Sequence, residues 1–248
     1  MRGLAERAFK AGWNAVRLNQ RNCGGTESLT PTLYNSGLSS DFRAVLIELI
    51  ETDSLPEIFF AGYSMGGNLI LKMAGEFAEN APRQLRAVAG VCPSIELGVC
   101  ADAVGLRYNF IYQEHFVRNL KKRMQRKSQM YPGKFDLREM NKVKTLREFD
   151  DAITARYCGF LDATDYYSRS SALRVAADIR VPAMIVTAQD DPFVPYSIFS
   201  APALVNNPHI QLIAPKHGGH CAFISRYSGE ERFWAENCIV EWFTNLLS

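Results

Sequence analysis

The chain has 248 residues, of which 47% are hydrophobic and 22% are charged, and its formal net charge is +2. This length and apolar content suit one α/β domain, which we expect to span residues 1–248. The mild charge gives no support for a nucleic-acid partner. The sequence shows no export signal and no run of about 18 apolar residues, so we expect no transmembrane segment and a cytoplasmic location.

The cysteine spacing is that of a reduced protein. No two cysteines form a C-x-x-C pair, so their spacing indicates neither a zinc site nor a disulfide framework. The six are Cys23, Cys92, Cys100, Cys158, Cys221 and Cys238.

The first predicted elements are a short helix and a strand. Apolar residues from Leu4 to Phe9 recur at helical spacing, and Gly12 ends this helix. NAVRLN at 14–19 predicts a short strand, and the Gly, Asn and Pro content of residues 22–31 predicts a loop.

A helix, a strand and a second helix follow. The segment FRAVLIELIE has one apolar face, and Ser40 or Asp41 is expected to cap the helix at its start. EIFFAG at 57–62 is typical of a buried strand, and NLILKMAGEFA at 68–78 predicts the helix after it.

Three more apolar runs have the length of strands, at 85–92, 183–188 and 209–214, and an amphipathic helix is predicted from Glu230 to Leu247. Strands that alternate with helices predict an α/β fold with a mostly parallel sheet and helices on both faces.

The long connection between the strands at 85–92 and 183–188 predicts a helical cap insertion at about 94–175. We interpret its aromatic residues chiefly as cap core and its basic cluster chiefly as a solvated helix face, while contact with a membrane surface or an acidic substrate is the weaker alternative. The aromatic residues are Phe110, Tyr112, Phe116 and Tyr131, and the basic ones are Arg118, Lys121, Lys122, Arg123, Arg126 and Lys127.

A serine framed by glycines lies in GYSMG at 62–66, between a predicted strand and a predicted helix. A strand, a tight turn and a helix in this order form the setting in which Gly-x-Ser-x-Gly presents a nucleophile. Gly62 and Gly66 would leave room for the strained turn, and the backbone N–H of Met65 would face a developing oxyanion. The alternative is that Ser64 is an ordinary turn residue.

Such a serine needs a general base and an orienting acid later in the chain. We favour His220 over His217, because the segment PKHGGHCAF resembles the loop that delivers the base in many α/β-hydrolases. We favour Asp191 over Asp190, because Asp191 stands four residues before Pro195.

Taken together, the sequence resembles the YheT-type predicted esterases, an α/β-hydrolase family related to the eukaryotic α/β-hydrolase domain lipases. The resemblance covers nearly the whole chain, and its motifs are RGLAERAFKAGWNAVRLNQRNCGG, LYNSG, GYSMGGN, DYYSRSS, AQDDPF and HGGHCAF. The strands and the His-Gly loop that precede the first helix in the family have no counterpart here, so we expect an N-terminally short member. Asn22 stands where the family motif usually has glycine.

The resemblance implies a serine hydrolase that cleaves carboxylic esters of small or medium acyl chain through an acyl-serine intermediate, without a metal or organic cofactor. It implies a catalytic set of Ser64, Asp191 and His220, and a site lined by Cys23, Gly24 and Gly25 with the Met65 N–H. The expected partner is a small-molecule ester or lipid-like substrate. The alternatives are an acyltransferase with the same residues, or a catalytically silent pocket protein that lacks the N-terminal oxyanion loop.

Overall fold

The computed structural model describes residues 2–226 and 229–247. The chain divides into two compact units, each with its own core. The sheet unit comprises Met1–Leu18, Leu38–Ile95 and Ser171–Ser248. The insertion unit comprises Asn19–Gly37 and Glu96–Ser170. The second unit includes most of the expected insertion at 94–175, and its role as a cap stays a prediction.

Helices and strands alternate along the sheet unit, whereas the insertion unit is helical. The main elements are α1 (Arg2–Lys10), α2 (Ser39–Glu51), β1 (Ile58–Tyr63), α3 (Met65–Phe77), β2 (Leu85–Val91), α4 (Leu97–Val104), α5 (Phe110–Met130), α6 (Leu146–Phe149), α7 (Arg156–Cys158), α8 (Ala163–Ser170), β3 (Ala183–Val186), α9 (Pro202–Val205), β4 (Ile210–Ile213) and α10 (Trp234–Asn245). A π-helical segment spans Asp150–Ala155, and short 3₁₀ helices span Ala78–Asn80, Arg107–Asn109, Arg138–Lys142, Ala172–Asp178, Tyr196–Ser200 and Gly229–Arg232.

The four strands form one parallel sheet in the order β1-β2-β3-β4. Gly62 of β1 is in register with Gly90 of β2, which is in register with Ile185 of β3, and Ile185 is in register with Leu212 of β4. Because all the strands run the same way, the loops that follow them emerge at one edge of the sheet, where α/β proteins place their sites.

Both faces of the sheet are covered by helices. On one face, Ala89 and Val91 of β2 join a buried cluster with Ile239 of α10. On the other face Gly90 lies against α3, so closely that a Cβ there would be 3.1 Å from Leu71 Cδ1. The sequence-based prediction of a parallel sheet between helices is therefore confirmed.

Four of the predicted strands are present within one or two residues of their expected ends, but the strand predicted at 14–19 is not. That segment is extended without strand pairing, and its Val16 is 73% exposed. A strand is held by hydrogen bonds to a neighbour, and among the described residues β1 pairs only with β2. The residues at 14–19 have the apolar pattern of a strand, but none of the described strands pairs with them.

Two predicted helix starts differ from the observed ones. Helix α2 begins at Ser39, after Leu38, and neither Ser40 nor Asp41 caps it. Helix α10 begins at Trp234 instead of Glu230: residues Gly229–Arg232 form a 3₁₀ helix, and Phe233, between the two helices, forms an isolated antiparallel bridge with Ile224.

The insertion unit is organised around α5, whose buried face includes Val117, Met124 and Lys127. The prediction that the early aromatic residues form cap core is wrong for Phe110, Tyr112 and Phe116, which are 59%, 50% and 37% exposed. The buried cluster takes its first residue of this helix at Val117, beyond all three rings. Among the described residues no helix is both long and apolar enough to cross a bilayer.

The prediction of a solvated basic face on α5 is wrong for Lys127, which is 1% exposed. Its ammonium donates to Asn22 Oδ1 and to the carbonyl oxygens of Glu27, at 2.6 Å, and Thr30. Lys127 therefore holds the loop at 22–31 from inside the insertion unit. Contact of the remaining basic residues with a membrane surface stays a prediction.

Candidate active site

Ser64 lies between the last residue of β1 and the first residue of α3. Its backbone has φ 51° and ψ −119°, which a residue with a side chain rarely adopts. Its N–H donates to the Val91 carbonyl at 2.8 Å, and its own carbonyl accepts from Asn68 N at 3.1 Å. The strained turn is therefore held by the neighbouring strand on one side and by the helix on the other.

Glycine is required where the turn crosses its own backbone. A Cβ on Gly62 would lie 2.4 Å from the Gly66 carbonyl oxygen, and a Cβ on Gly67 would lie 2.9 Å from Pro93 Cβ. Because a backbone atom cannot move aside as a flexible side chain can, Gly62 has no room for a larger residue. The sequence pattern indicated Gly62 correctly and gave no reason to single out Gly67.

His220 connects the serine to an acid. Its Nε2 lies 3.0 Å from Ser64 Oγ, and its Nδ1 lies 2.9 Å from Asp191 Oδ2. An ionised carboxylate only accepts hydrogen bonds, so Nδ1 carries the proton and Nε2 of the neutral ring faces the serine hydroxyl as an acceptor. The three residues are far apart in sequence, yet the carboxyl ends of β1, β3 and β4 bring them to one edge of the sheet.

Asp191 is fixed on all sides. Its side chain is fully buried, and its Oδ1 accepts from the backbone N–H groups of Phe193 at 2.8 Å and Val194 at 3.0 Å. The remaining oxygen, Oδ2, faces His220. A buried carboxylate with these donors has one orientation, so it sets the tautomer and the tilt of the imidazole.

The two residues that sequence analysis ranked second form a separate pair. Asp190 Oδ2 lies 3.1 Å from Nδ1 of His217, whose side chain is 88% exposed. Asp190 Oδ1 also accepts from the N–H groups of Gly218 at 3.0 Å and Gly219 at 2.9 Å. These amide donors, with His217, hold the pKa of Asp190 below its ordinary value. Asp190 therefore anchors the loop that carries His220.

The surroundings of His220 act on its charge in opposite directions. Burial lowers the pKa of the imidazole, and the hydrogen bonds to Asp191 and Cys92 offset this, so that the pKa lies above its ordinary value. Phe193 lies edge-on to the ring, with centroids 5.0 Å apart. Sequence analysis included Phe193 in the motif AQDDPF but assigned it no role, and it missed Cys92, which directly follows β2 at the sheet edge that carries Ser64.

The remaining predicted site residues lie at two places. Met65 is the first residue of α3, where backbone N–H groups have no acceptor within the helix. Cys23, Gly24 and Gly25 lie in the insertion unit, and both glycines have positive φ. Their contribution to a substrate site stays a prediction. Asn22 has φ 60°, a conformation that asparagine tolerates better than most residues, which explains its presence in place of a glycine.

One class of protein combines a parallel sheet of this order with a strained serine turn and a Ser–His–Asp arrangement, and similarity to known proteins identifies it. Residues 1–227 match the model of the alpha/beta hydrolase fold family. The chain is also 32% identical to YheT of Escherichia coli over 247 residues, which covers 99% of this chain and 72% of that protein. The chain therefore belongs to the alpha/beta hydrolase fold family.

Within this family the chain is similar to YheT and, at lower identity, to two eukaryotic proteins. It is 26% identical to the medium-chain fatty acid ethyl ester synthase/esterase 2 of Saccharomyces cerevisiae, covering 98% of this chain and 58% of that one. It is 27% identical to the human monoacylglycerol lipase ABHD2, covering 98% of this chain and 61% of that one. The chain thus spans about three fifths of the length of these two relatives.

Solved structures agree on the fold. An esterase from Pyrococcus furiosus aligns with a TM-score of 0.58 at 16% identity, covering 100% of this chain and 76% of that one. A monoacylglycerol lipase from Paleococcus ferrophilus aligns with a TM-score of 0.56 at 15% identity, covering 98% of this chain and 88% of that one. At such identities the agreement concerns the architecture alone.

Proposed function

We propose that the chain is a serine hydrolase that cleaves carboxylic esters of small or medium acyl chain. The observation that carries this proposal is the position of the His220 imidazole, within hydrogen-bond distance of both Ser64 Oγ and Asp191 Oδ2. A hydroxyl, a base and a buried acid in this order are the parts that acyl transfer to serine requires. The names of the yeast and human relatives, an ester synthase/esterase and a lipase, support an ester substrate.

In the proposed mechanism, Ser64 Oγ attacks the ester carbonyl while His220 Nε2 takes its proton. Asp191 keeps the imidazole in the productive tautomer and stabilises its positive charge. The Met65 N–H, at the start of α3, donates to the oxyanion of the tetrahedral intermediate. His220 then gives the proton to the leaving alcohol, and the acyl group stays on Ser64.

Water completes the cycle. His220 removes a proton from water as its oxygen attacks the acyl-serine carbonyl, and the released Ser64 Oγ takes the proton back from His220. The products are a carboxylic acid and an alcohol, and the reaction consumes one water molecule. This mechanism requires no cofactor.

An acyltransferase is the second candidate, favoured by the name of the yeast relative, which includes an ethyl ester synthase. The same acyl-serine would then pass its acyl group to an alcohol instead of to water. Product analysis in mixtures of water and ethanol separates the two: a hydrolase yields mainly the free acid, and a transferase yields mainly the ethyl ester.

The experiment that tests the proposal is labelling with a fluorophosphonate, followed by hydrolysis of p-nitrophenyl esters of increasing chain length. The proposal expects labelling and turnover in the wild type, both lost in Ser64→Ala, with turnover reduced about 10⁶-fold. Ser94→Ala is a matched control, because Ser94 is also a serine shortly after the end of a strand and has no place in the proposed mechanism. Folded protein without labelling or turnover would support the catalytically silent alternative.

A further inference from the structure

A cluster of two thiols and an imidazole lies at the sheet edge, and the proposed mechanism does not use its sulfur atoms. Among the described residues, ligand atoms of Cys92, His220 and Cys221 all lie within 4.8 Å of one another. Cys92 follows β2, and Cys221 directly follows His220, so two separate loops supply the cluster. The two cysteines are 129 positions apart, which explains why their spacing in the sequence did not indicate the cluster.

The two loops are joined through the sulfur of Cys92. The Cys221 N–H donates to Cys92 Sγ at 3.3 Å, and the Cys92 thiol donates to the Gly219 carbonyl at 3.7 Å. The Cys221 thiol donates to the Val91 carbonyl at 3.7 Å. Both thiols are therefore held beside the imidazole by backbone contacts, rather than approaching it on flexible side chains.

The spacing suits a thiophilic metal ion. Zinc binds cysteine sulfur at about 2.3 Å and histidine nitrogen at about 2.0 to 2.1 Å, which places tetrahedral ligands roughly 3.5 to 3.8 Å apart. Ligand atoms within 4.8 Å of one another therefore need to close by about 1.3 Å at most. Two sulfur ligands and one imidazole are a donor set that favours zinc over magnesium or calcium.

An ion at this position would compete directly with the proposed catalytic arrangement. Nδ1 of His220 faces Asp191, and Nε2 faces Ser64. A metal ion takes one ring nitrogen, so its binding removes one of these two hydrogen bonds, whichever nitrogen it uses. The His220 side chain is 20% exposed, which gives the ion access from solvent while Cys92 is fully buried.

We propose that Cys92, Cys221 and His220 form an inhibitory binding site for zinc or a similar thiophilic divalent ion. Solvent supplies the fourth ligand. The ion replaces the thiol protons, which leave to solvent, and it withdraws the imidazole from Ser64 or from Asp191. Binding of the ion is independent of the proposed function, whereas its inhibitory consequence rests on that function.

The test of binding uses Co²⁺ as a spectroscopic probe on the metal-free, reduced full chain. We expect sulfur-to-cobalt charge-transfer absorbance in the near ultraviolet that saturates at one equivalent and is displaced by Zn²⁺. The absorbance should be lost in the Cys92→Ser/Cys221→Ser double variant and weakened in Cys221→Ser alone. Cys238→Ser is the matched control and should keep it, because Cys238 is a half-buried cysteine of the same unit outside the cluster.

Cys92 is fully buried, so its replacement carries a risk of misfolding, and each variant is compared with the wild type by its melting temperature. Cys221 is only partly buried, so its replacement should disturb the fold less. If the double variant does not fold, the test of the proposal is the absorbance of Cys221→Ser. Absence of the charge-transfer band in the wild type would overturn the proposal, as would a band that persists in Cys221→Ser at full intensity.

The test of inhibition is a Zn²⁺ titration of p-nitrophenyl ester hydrolysis. We expect loss of activity with the same midpoint as the absorbance change in a parallel Zn²⁺ displacement experiment, and recovery on addition of a chelator. Zinc that binds without changing turnover would overturn the inhibitory role. If the metal-free protein has no turnover at all, the proposed function fails, while the cobalt spectrum still decides whether the site exists.

Discussion

Asp190 and Asp191 are neighbours in sequence, yet their carboxylates face different histidines. Asp191 is buried against His220, whereas Asp190 is half-exposed and holds His217 and the loop amides before His220. Asp191 thus orients the proposed base, and Asp190 holds the shape of the loop that carries it.

Replacement of these acids should have unequal effects. Asp191→Asn leaves a side chain of the same size but disturbs the imidazole tautomer, so we expect kcat for p-nitrophenyl esters to fall about 10⁴-fold. Asp190→Asn keeps an acceptor for the loop amides, so most of the turnover should remain. Steady-state kinetics of both variants check this, and equal losses would show that Asp190 shares the acid's role.

The strained turn at Ser64 should depend on the absence of a side chain at Gly62. In Gly62→Ala, the Cβ would meet the Gly66 carbonyl oxygen at 2.4 Å, so we expect a loss of about 3 kcal/mol or more in the free energy of unfolding. Gly98→Ala is the control, because Gly98 lies in helix α4 with its nearest contact at 3.8 Å. That variant should be neutral or more stable by up to about 1 kcal/mol. Urea denaturation measures both, and similar values for the two would contradict the steric argument.

The buried ammonium of Lys127 should contribute strongly to the stability of the insertion unit. Lys127→Met removes the donor from three oxygen acceptors, of which that of Asn22 is buried and those of Glu27 and Thr30 are partly buried, so we expect about 3 kcal/mol of destabilisation and faster hydrogen exchange in residues 22–31. Lys122→Met, on the exposed side of the same helix, should change stability by less than about 0.5 kcal/mol. If the Lys127 variant is as stable as the Lys122 variant, the loop is held by other contacts.

The buried carboxyl of Asp150 should make the stability of the protein depend on pH. Burial raises the pKa of this carboxyl to about 6, and the hydroxyls of Thr154 and Tyr167, each 2.7 Å from one of its oxygens, and the nearby Arg147 limit the rise. Because the native state holds this proton at a pH where the unfolded chain has lost it, the contribution of Asp150 to stability increases as the pH falls through 6.

The measurement compares the wild type with Asp150→Asn, which lacks the titrating proton. Between about pH 7.5 and about pH 5, we expect the difference in unfolding free energy to shift by about 1 to 1.5 kcal/mol in favour of the wild type. Other titrating groups contribute equally to both proteins and cancel in the difference. A difference that stays constant over this range would mean that Asp150 titrates near its ordinary pKa.

The local sequence predicted those strands whose own residues form an apolar run. The run before Ser64 and the apolar runs at β2, β3 and β4 each form a strand. The two inner strands, β2 and β3, are largely buried, as expected of parallel strands covered on both faces, whereas β4 is only partly buried. The segment at 14–19 has a similar pattern, but strand formation also needs a partner, which a local pattern does not show. For the same reason the burial of Lys127 was missed, since its acceptors lie about a hundred residues away.

The candidate site was predicted only as far as its motifs extended. Ser64, Asp191 and His220 stand in recognisable patterns, and the structure brings their side chains within hydrogen-bond distance. The positions of Cys92 and Phe193 beside His220 follow from how the strand ends converge. No motif marks Cys92, and the motif AQDDPF contains Phe193 without indicating its contact with the imidazole.

The residues proposed for chemistry and for metal binding all map to the sheet unit, while 75 consecutive residues, Glu96–Ser170, belong to the other unit and pack around cores of their own. The residues that hydrogen-bond to Ser64 and Asp191, among them Val91, Phe193 and Val194, belong to the sheet unit as well. A gene can therefore vary the interrupting stretch while it keeps the codons for these direct contacts.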